Sequence, residues 1–262
     1  MASSDIKSHA QSRFAQYAQG YVTASGFASG SDLDRLLELA QPQPHWHALD
    51  IATGGGHTAL KFAPFVQHVV ASDLTLPMLH AARQFITAQS ATNLSFTAAD
   101  AENLPFATAA FDLVTCRIAP HHFPDCFRFV QEAARVLKPG GRLLIEDQLV
   151  PEDDRAARYI DSFERLRDPS HHRIYAAYEW QGMFLDAGLE VLHTESISRS
   201  LGKLVTWAER QGCSPGTIER LHILLAQSPA AVREWLQPQA VASPDAAFSN
   251  HYIIIMGQKP LG

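Results

Sequence analysis

Hydrophobic positions along the chain fall into two alternating patterns. Short apolar runs at 48–52, 69–73, 94–98, 111–116 and 142–147 have the length and β-branched content of buried strands. Between them, 77–88 and 125–137 carry apolar residues at helical spacing, the first with a proline in its opening turn and the second stopped by Pro139-Gly140-Gly141. Strands that alternate with helices predict a parallel sheet covered on both faces. Ahead of this block, 8–20 and 32–40 read as helices joined by a small, polar stretch at 21–30. Ser31 is placed to cap the second, with Asp32 and Asp34 in its first turn. Behind it, 153–166 and 177–187 read as helices, with Gly188 as a stop. A strand at 190–196, a helical stretch at 203–236 broken by Pro215 and Pro229, and a last strand at 251–256 complete the chain. The expected organisation is an N-terminal helical cap at 1–44 and one α/β domain at 45–262, with a helical insertion at about 200–240.

The junction after the first strand carries the chemistry. Leu49-Asp50-Ile51-Ala52-Thr53-Gly54-Gly55-Gly56-His57 is an apolar strand that runs through a carboxylate into a glycine-rich turn and a helix start. Glycines there let backbone approach a ligand closely, and the helix aims free N–H groups at it. Gly54-x-Gly56-x-x-Ala59 also fits a dinucleotide fingerprint, with Asp73 near the spacing of the ribose-binding acid. Asp50 argues against a dinucleotide. A carboxylate at the end of the first strand repels a diphosphate and suits a cationic ligand, such as one bearing an ammonium and a sulfonium.

Composition narrows the remaining classes. The net charge of −6, without a dense run of Lys or Arg, disfavours a nucleic-acid partner. Three cysteines, Cys116, Cys126 and Cys213, widely spaced and without a CxxC pair, fit a reducing compartment. No stretch has the unbroken apolar length of a membrane span, and 1–10 lacks the apolar core of a signal peptide, so a cytoplasmic protein is expected.

With these residues placed, the chain resembles the class I S-adenosylmethionine-dependent methyltransferases, within them the UbiE/COQ5-like (methyltransferase type 11) branch and its uncharacterised small-molecule members. The stretches 49–59, 70–75, 100–106, 111–124 and 132–147, the last with its Arg-Val-Leu-Lys-Pro-Gly-Gly core, carry the likeness. Looser likeness extends to 21–30 and to Asp168-Pro169-Ser170-His171-His172-Arg173. The first position of the family's three-glycine pattern is Ala52 here. The resemblance implies a Rossmann-like fold with a seven-stranded, mostly parallel sheet, and a helical lid from the N-terminus and the C-terminal insertion. It implies S-adenosyl-L-methionine as cofactor and a small organic methyl acceptor, in a monomer or homodimer. Asp50, Gly54 and Gly56 would line the methionine end, Asp73 would take the ribose, Asp100 and Ala101 the adenine, and Ala52 and Leu74 are further cofactor-binding candidates. Arg117 would contribute backbone near the methionyl group, its guanidinium serving equally well in an ion pair, and Tyr21 belongs to the segment expected to fold over the site.

A base is needed only where the acceptor must lose a proton. Histidine suits that task at neutral pH, and His122, His171 and His172 are the candidates, with His121 beside them. Trp207 and Trp235 are candidate aromatic walls for a planar acceptor. Two alternatives stay open at this point: a cofactor-binding protein without catalysis, and an NAD-dependent oxidoreductase.

Overall fold

A computed structural model describes residues 3–23 and 31–261. Its centre is a seven-stranded sheet in the order β3-β2-β1-β4-β5-β7-β6. The strands are β1 (His47–Ile51), β2 (His68–Asp73), β3 (Leu94–Ala98), β4 (Phe111–Arg117), β5 (Leu137–Leu149), β6 (Glu190–Lys203) and β7 (Ala247–Gln258). The first five are parallel, while β7 runs antiparallel to both β5 and β6. Chain order reverses at β1, which lies between β2 and β4. Sheets of this kind bind ligands outside the carboxyl ends of the strands at that reversal.

The helices are α1 (Ser3–Thr23), α2 (Ser31–Ala40), α3 (His57–Phe62), α4 (Leu76–Ala88), α5 (Cys126–Val136), α6 (Asp154–Arg167), α7 (Ala177–Asp186), α8 (Leu204–Glu209), α9 (Pro215–Ala226) and α10 (Ala230–Leu236). Alternation along each strand sends successive side chains to opposite faces. Leu49, Ile51, Ile253 and Ile255 pack under α5 and α7 with Phe129, Trp180 and Phe184. Ala48, Ile254 and Met256 pack on the other face with Leu36, Phe62 and Ile86 of α2, α3 and α4. A third cluster joins α6 to α8, α9 and α10.

Several expected boundaries move. Strand β5 begins at Leu137, before the Pro-Gly-Gly turn, because Leu137 already pairs with Phe111 across a register shift. Strands β6 and β7 extend past 196 and before 251, as a long antiparallel pair that satisfies both backbones through Lys203 and Ala247. The expected aromatic walls are packing residues. Trp207 is 3% exposed, stacked on Phe163 at 5.4 Å and edge-on to Phe248 at 4.8 Å. Trp235 lies against His251 between the first and third clusters.

Candidate active site

A cleft opens at the carboxyl ends of β1, β2 and β4, and the glycine turn forms its floor. Ala52 and Gly54 take left-handed φ values of 52° and 54°, and Gly56, which caps α3, takes 86°. An alanine Cβ at Gly56 would lie 2.8 Å from Ile86 Cδ1 and 3.2 Å from Ala82 Cβ. Glycine there lets α3 and α4 pack, so Gly56 shapes the cleft from beneath, while Ala52, Gly54 and Gly55 line it.

Two buried carboxylates flank the turn. Asp50 accepts from the hydroxyls of Thr53 at 2.6 Å and Thr115 at 2.8 Å. Burial pushes its carboxyl up to about 6, against the pull of those two hydroxyls. Asp73 accepts from the backbone N–H of Gly54 at 3.0 Å and of Thr75 at 2.8 Å, one on each oxygen. The Thr75 side chain and the Leu74 backbone also hydrogen-bond to this carboxylate, which faces the cleft as an acceptor. Burial raises its pKa as well. Leu74 and Met78 add apolar wall beside it.

Further along the cleft, Asp100 and Ala101 follow β3. The loop that carries them is clamped by α5: Glu132 accepts from Leu104 N–H, and Arg135 donates to the carbonyls of Leu104 and Phe106. That clamp is what the Arg-Val-Leu-Lys-Pro-Gly-Gly stretch contributes from a distance. Asp100 also meets a residue absent from the sequence reading. Lys7 of α1 bridges Asp100 at 2.7 Å and Glu102 at 2.6 Å. Helix α1 therefore covers the cleft, with Lys7, Ala10 and Phe14 turned into it. Tyr21 lies in α1, and its side chain falls outside the described residues.

Arg117 lines the cleft and is also an ion-pair partner. Its guanidinium meets Asp32 of α2 at 2.5 Å and donates to Thr58 Oγ1 at 3.2 Å, with both charged side chains under 10% exposed. Asp32 thus does more than favour the start of a helix.

The histidines separate into distinct roles. His122 lines the cleft, edge-on to Phe14 at 4.9 Å. His121, next to it, turns away to Asp147, which receives its Nδ1 at 2.6 Å and its backbone N–H at 2.8 Å. Burial lowers His121 to about 3 and raises Asp147 to about 7. His171 is buried with Nε2 on Asp161 at 2.8 Å, where it pins α6 to the following loop. His172 sends its N–H to the His121 carbonyl at 2.9 Å. Neither His171 nor His172 is among the residues lining the cleft, so of the three base candidates only His122 is in reach of a ligand there. Asp125, which follows the His-His pair, caps α5 through Arg128 N–H.

Sequence comparison places this arrangement among known proteins. Residues 49–145 match the model of a methyltransferase domain. The uncharacterized methyltransferase YcgJ of Bacillus subtilis is 42% identical over 171 residues, covering 65% of this chain and 68% of that protein. The UbiE ubiquinone/menaquinone biosynthesis C-methyltransferase of Ectopseudomonas mendocina is 35% identical over 131 residues, covering 48% of this chain and about half (51%) of its own length. Among solved structures, a Bacillus halodurans protein named as a candidate methyltransferase superposes with a TM-score of 0.84 at 36% identity, covering 88% of this chain and all of that one. By these matches the chain belongs to the class I S-adenosylmethionine-dependent methyltransferases, with UbiE-like relatives.

Proposed function

We propose that this cleft binds S-adenosylmethionine beneath α1 and that the chain methylates a small organic acceptor entering beside His122. The observation that carries the cofactor assignment is the pair of buried carboxylates, Asp50 and Asp73, on either side of a turn held in left-handed conformations. Asp50 faces the methionine end, where its charge complements the ammonium. Asp73, an acceptor facing the cleft, receives the ribose hydroxyls. A dinucleotide in the same place would bring its diphosphate against Asp50, at a cost sharpened by the low dielectric. Asp100 and Ala101 meet the adenine, and Ala52, Gly54, Leu74 and the backbone at Arg117 complete the wall.

When bound, the cofactor supplies a methyl group activated by its sulfonium. The chain's own part is alignment and exclusion of water, and proximity of this kind is worth roughly 7–11 kcal/mol. Helix α1 supports the second role, because Lys7 and Phe14 lie over the cleft. The acceptor's size follows from this cover: a covered cleft with apolar walls at Phe14, Ile118 and Phe123 favours a small molecule over a polymer. The net charge of −6 argues in the same direction against nucleic acid. Among the described residues no helix is long and apolar enough to cross a membrane.

The test is methyl transfer from labelled S-adenosylmethionine into a deproteinised bacterial small-molecule extract, beside the same extract with protein and RNA retained. Label in the small-molecule fraction is expected. Label confined to macromolecules would reject the acceptor class, and cofactor binding without any transfer would favour a binding protein without catalysis.

A further inference from the structure

Two histidines line the cleft, His57 and His122, and the second is held in a single tautomer by a chain of contacts that begins on the covering helix. His122 Nδ1 lies 3.0 Å from the Ser170 carbonyl oxygen and 3.4 Å from Ser170 Oγ. A carbonyl can only accept. The Ser170 hydroxyl spends its own hydrogen on Asp168 Oδ1 at 2.6 Å, so towards the histidine it is an acceptor too. Both neighbours of Nδ1 therefore require a proton on it. The neutral ring then carries its lone pair on Nε2, at the tip of the side chain.

Asp168 is fixed in turn. Its Oδ1 also accepts from Ser170 N–H at 2.9 Å and pairs with Arg13 Nε of α1 at 2.9 Å. Arg13 reaches on to Gln211, beyond α8, and the next residue, Phe14, sits edge-on against the His122 ring. One helix thus covers the cleft, packs the ring and anchors the carboxylate that orients it.

Resting on the cofactor assignment above, we propose that His122 Nε2 is the general base for an acceptor that carries a hydroxyl group, with Arg13, Asp168 and Ser170 as its positioning residues. As the acceptor oxygen attacks the methyl carbon, its O–H proton goes to Nε2. The oxygen's electron pair forms the new C–O bond, and the pair of the broken C–S bond stays on sulfur as S-adenosylhomocysteine. Positive charge disappears at sulfur and reappears on the imidazolium, which Asp168 stabilises. Burial holds His122 down to about 3, with His121 beside it acting in the same direction and Asp168 opposing. The ring is therefore neutral at physiological pH, with its Nε2 lone pair unprotonated.

Two features favour a hydroxyl over other acceptors. The walls next to His122 are Phe14, Ile118, Ala119 and Phe123, an apolar setting that disfavours an alkylammonium. An enolate generated from a carbon acid would need a cation beside it. The cleft-lining Lys and Arg are Lys7 and Arg117, each already facing carboxylates: Asp100 and Glu102 for the lysine, Asp32 for the arginine.

The experiment has two arms on the intact chain, with S-adenosylhomocysteine and tritiated S-adenosylmethionine as probes. Long-range proton–nitrogen NMR of nitrogen-15-labelled protein, with His122→Asn to assign the signal, reads the tautomer directly. The account expects a proton on Nδ1 and none on Nε2, and a mixture of tautomers in Asp168→Asn. The second arm follows methyl transfer into the deproteinised extract. The account expects label in an O-methyl product, and a fall in kcat of about 10²-fold or more for His122→Asn. S-adenosylhomocysteine affinity and thermal unfolding should stay near wild type in that variant, and Asp168→Glu should recover part of the rate lost in Asp168→Asn. A proton found on Nε2 overturns the proposal, as does label in N- or S-methyl products with His122→Asn turning over normally. Wild-type protein that binds no S-adenosylhomocysteine would instead reject the cofactor assignment beneath it.

Discussion

Acid should weaken cofactor binding through one identifiable group, Asp50. Its carboxyl is buried, held by Thr53 and Thr115, and pushed up to about 6. The ligand's ammonium stays protonated throughout this range, so the ionised carboxylate is the form that binds it. Affinity is therefore greatest well above about 6 and falls as pH drops through that value. With that pKa, the ionised fraction goes from roughly nine-tenths at about pH 7 to roughly one-tenth at about pH 5, a tenfold loss or ~1.4 kcal/mol. The effect on folding has the opposite sign. A carboxyl whose folded pKa is raised stabilises the ligand-free fold in acid, and that contribution is lost as pH rises through about 6. Calorimetric titration with S-adenosylhomocysteine across this range, in wild type and in Asp50→Asn, measures it. The variant should bind more weakly at neutral pH and show a much flatter profile. Asp73 is also raised, so a residual slope is expected. An unchanged slope in Asp50→Asn, or affinity that rises in acid, would rule out Asp50 as the titrating group.

Three further outcomes follow from the packing. Gly56→Ala combines a positive φ with a Cβ 2.8 Å from Ile86 Cδ1, so urea denaturation should show a loss of about 2–4 kcal/mol, partly relieved in Gly56→Ala/Ile86→Val. Asp32→Ala leaves the Arg117 guanidinium buried without its carboxylate and should cost about 3–5 kcal/mol by the same measurement. Lys7→Ala removes both contacts that hold α1 at Asp100 and Glu102. Hydrogen exchange in α1 should become several-fold faster and S-adenosylhomocysteine should dissociate sooner, while global stability falls by less than ~1 kcal/mol.

What the sequence made legible was the part built from local rules. The five parallel strands, the glycine turn and Asp73 announce themselves through apolar runs, glycines and a carboxylate at a strand end. The long β6–β7 pair was only half visible, because the exposed positions of β6 from Thr194 to Ser200 are hydroxyl-bearing and carry no strand-like apolar run. The histidines illustrate the other limit. Four of them stand in two His-His pairs, yet which one faces the cleft depends on how Asp147 and Asp161 capture His121 and His171 from distant elements. Lys7 and Phe14 were missed for a similar reason: on a weakly amphipathic helix, nothing local distinguishes a residue that covers a cleft from one facing solvent. Asp168-Pro169-Ser170 offered a usable signal, since an Asp two residues before a Ser commonly turns its side chain back on the backbone, as it does here.

Isothermal titration of the intact chain with S-adenosylhomocysteine, beside NAD, in wild type and Asp73→Ala, reads the cofactor's identity directly. Micromolar binding of S-adenosylhomocysteine is expected, with no measurable binding of NAD and an affinity loss of at least about tenfold in the variant, from two hydrogen bonds to a charged acceptor. Binding of NAD instead, or equal affinity in Asp73→Ala, would contradict the cofactor assignment.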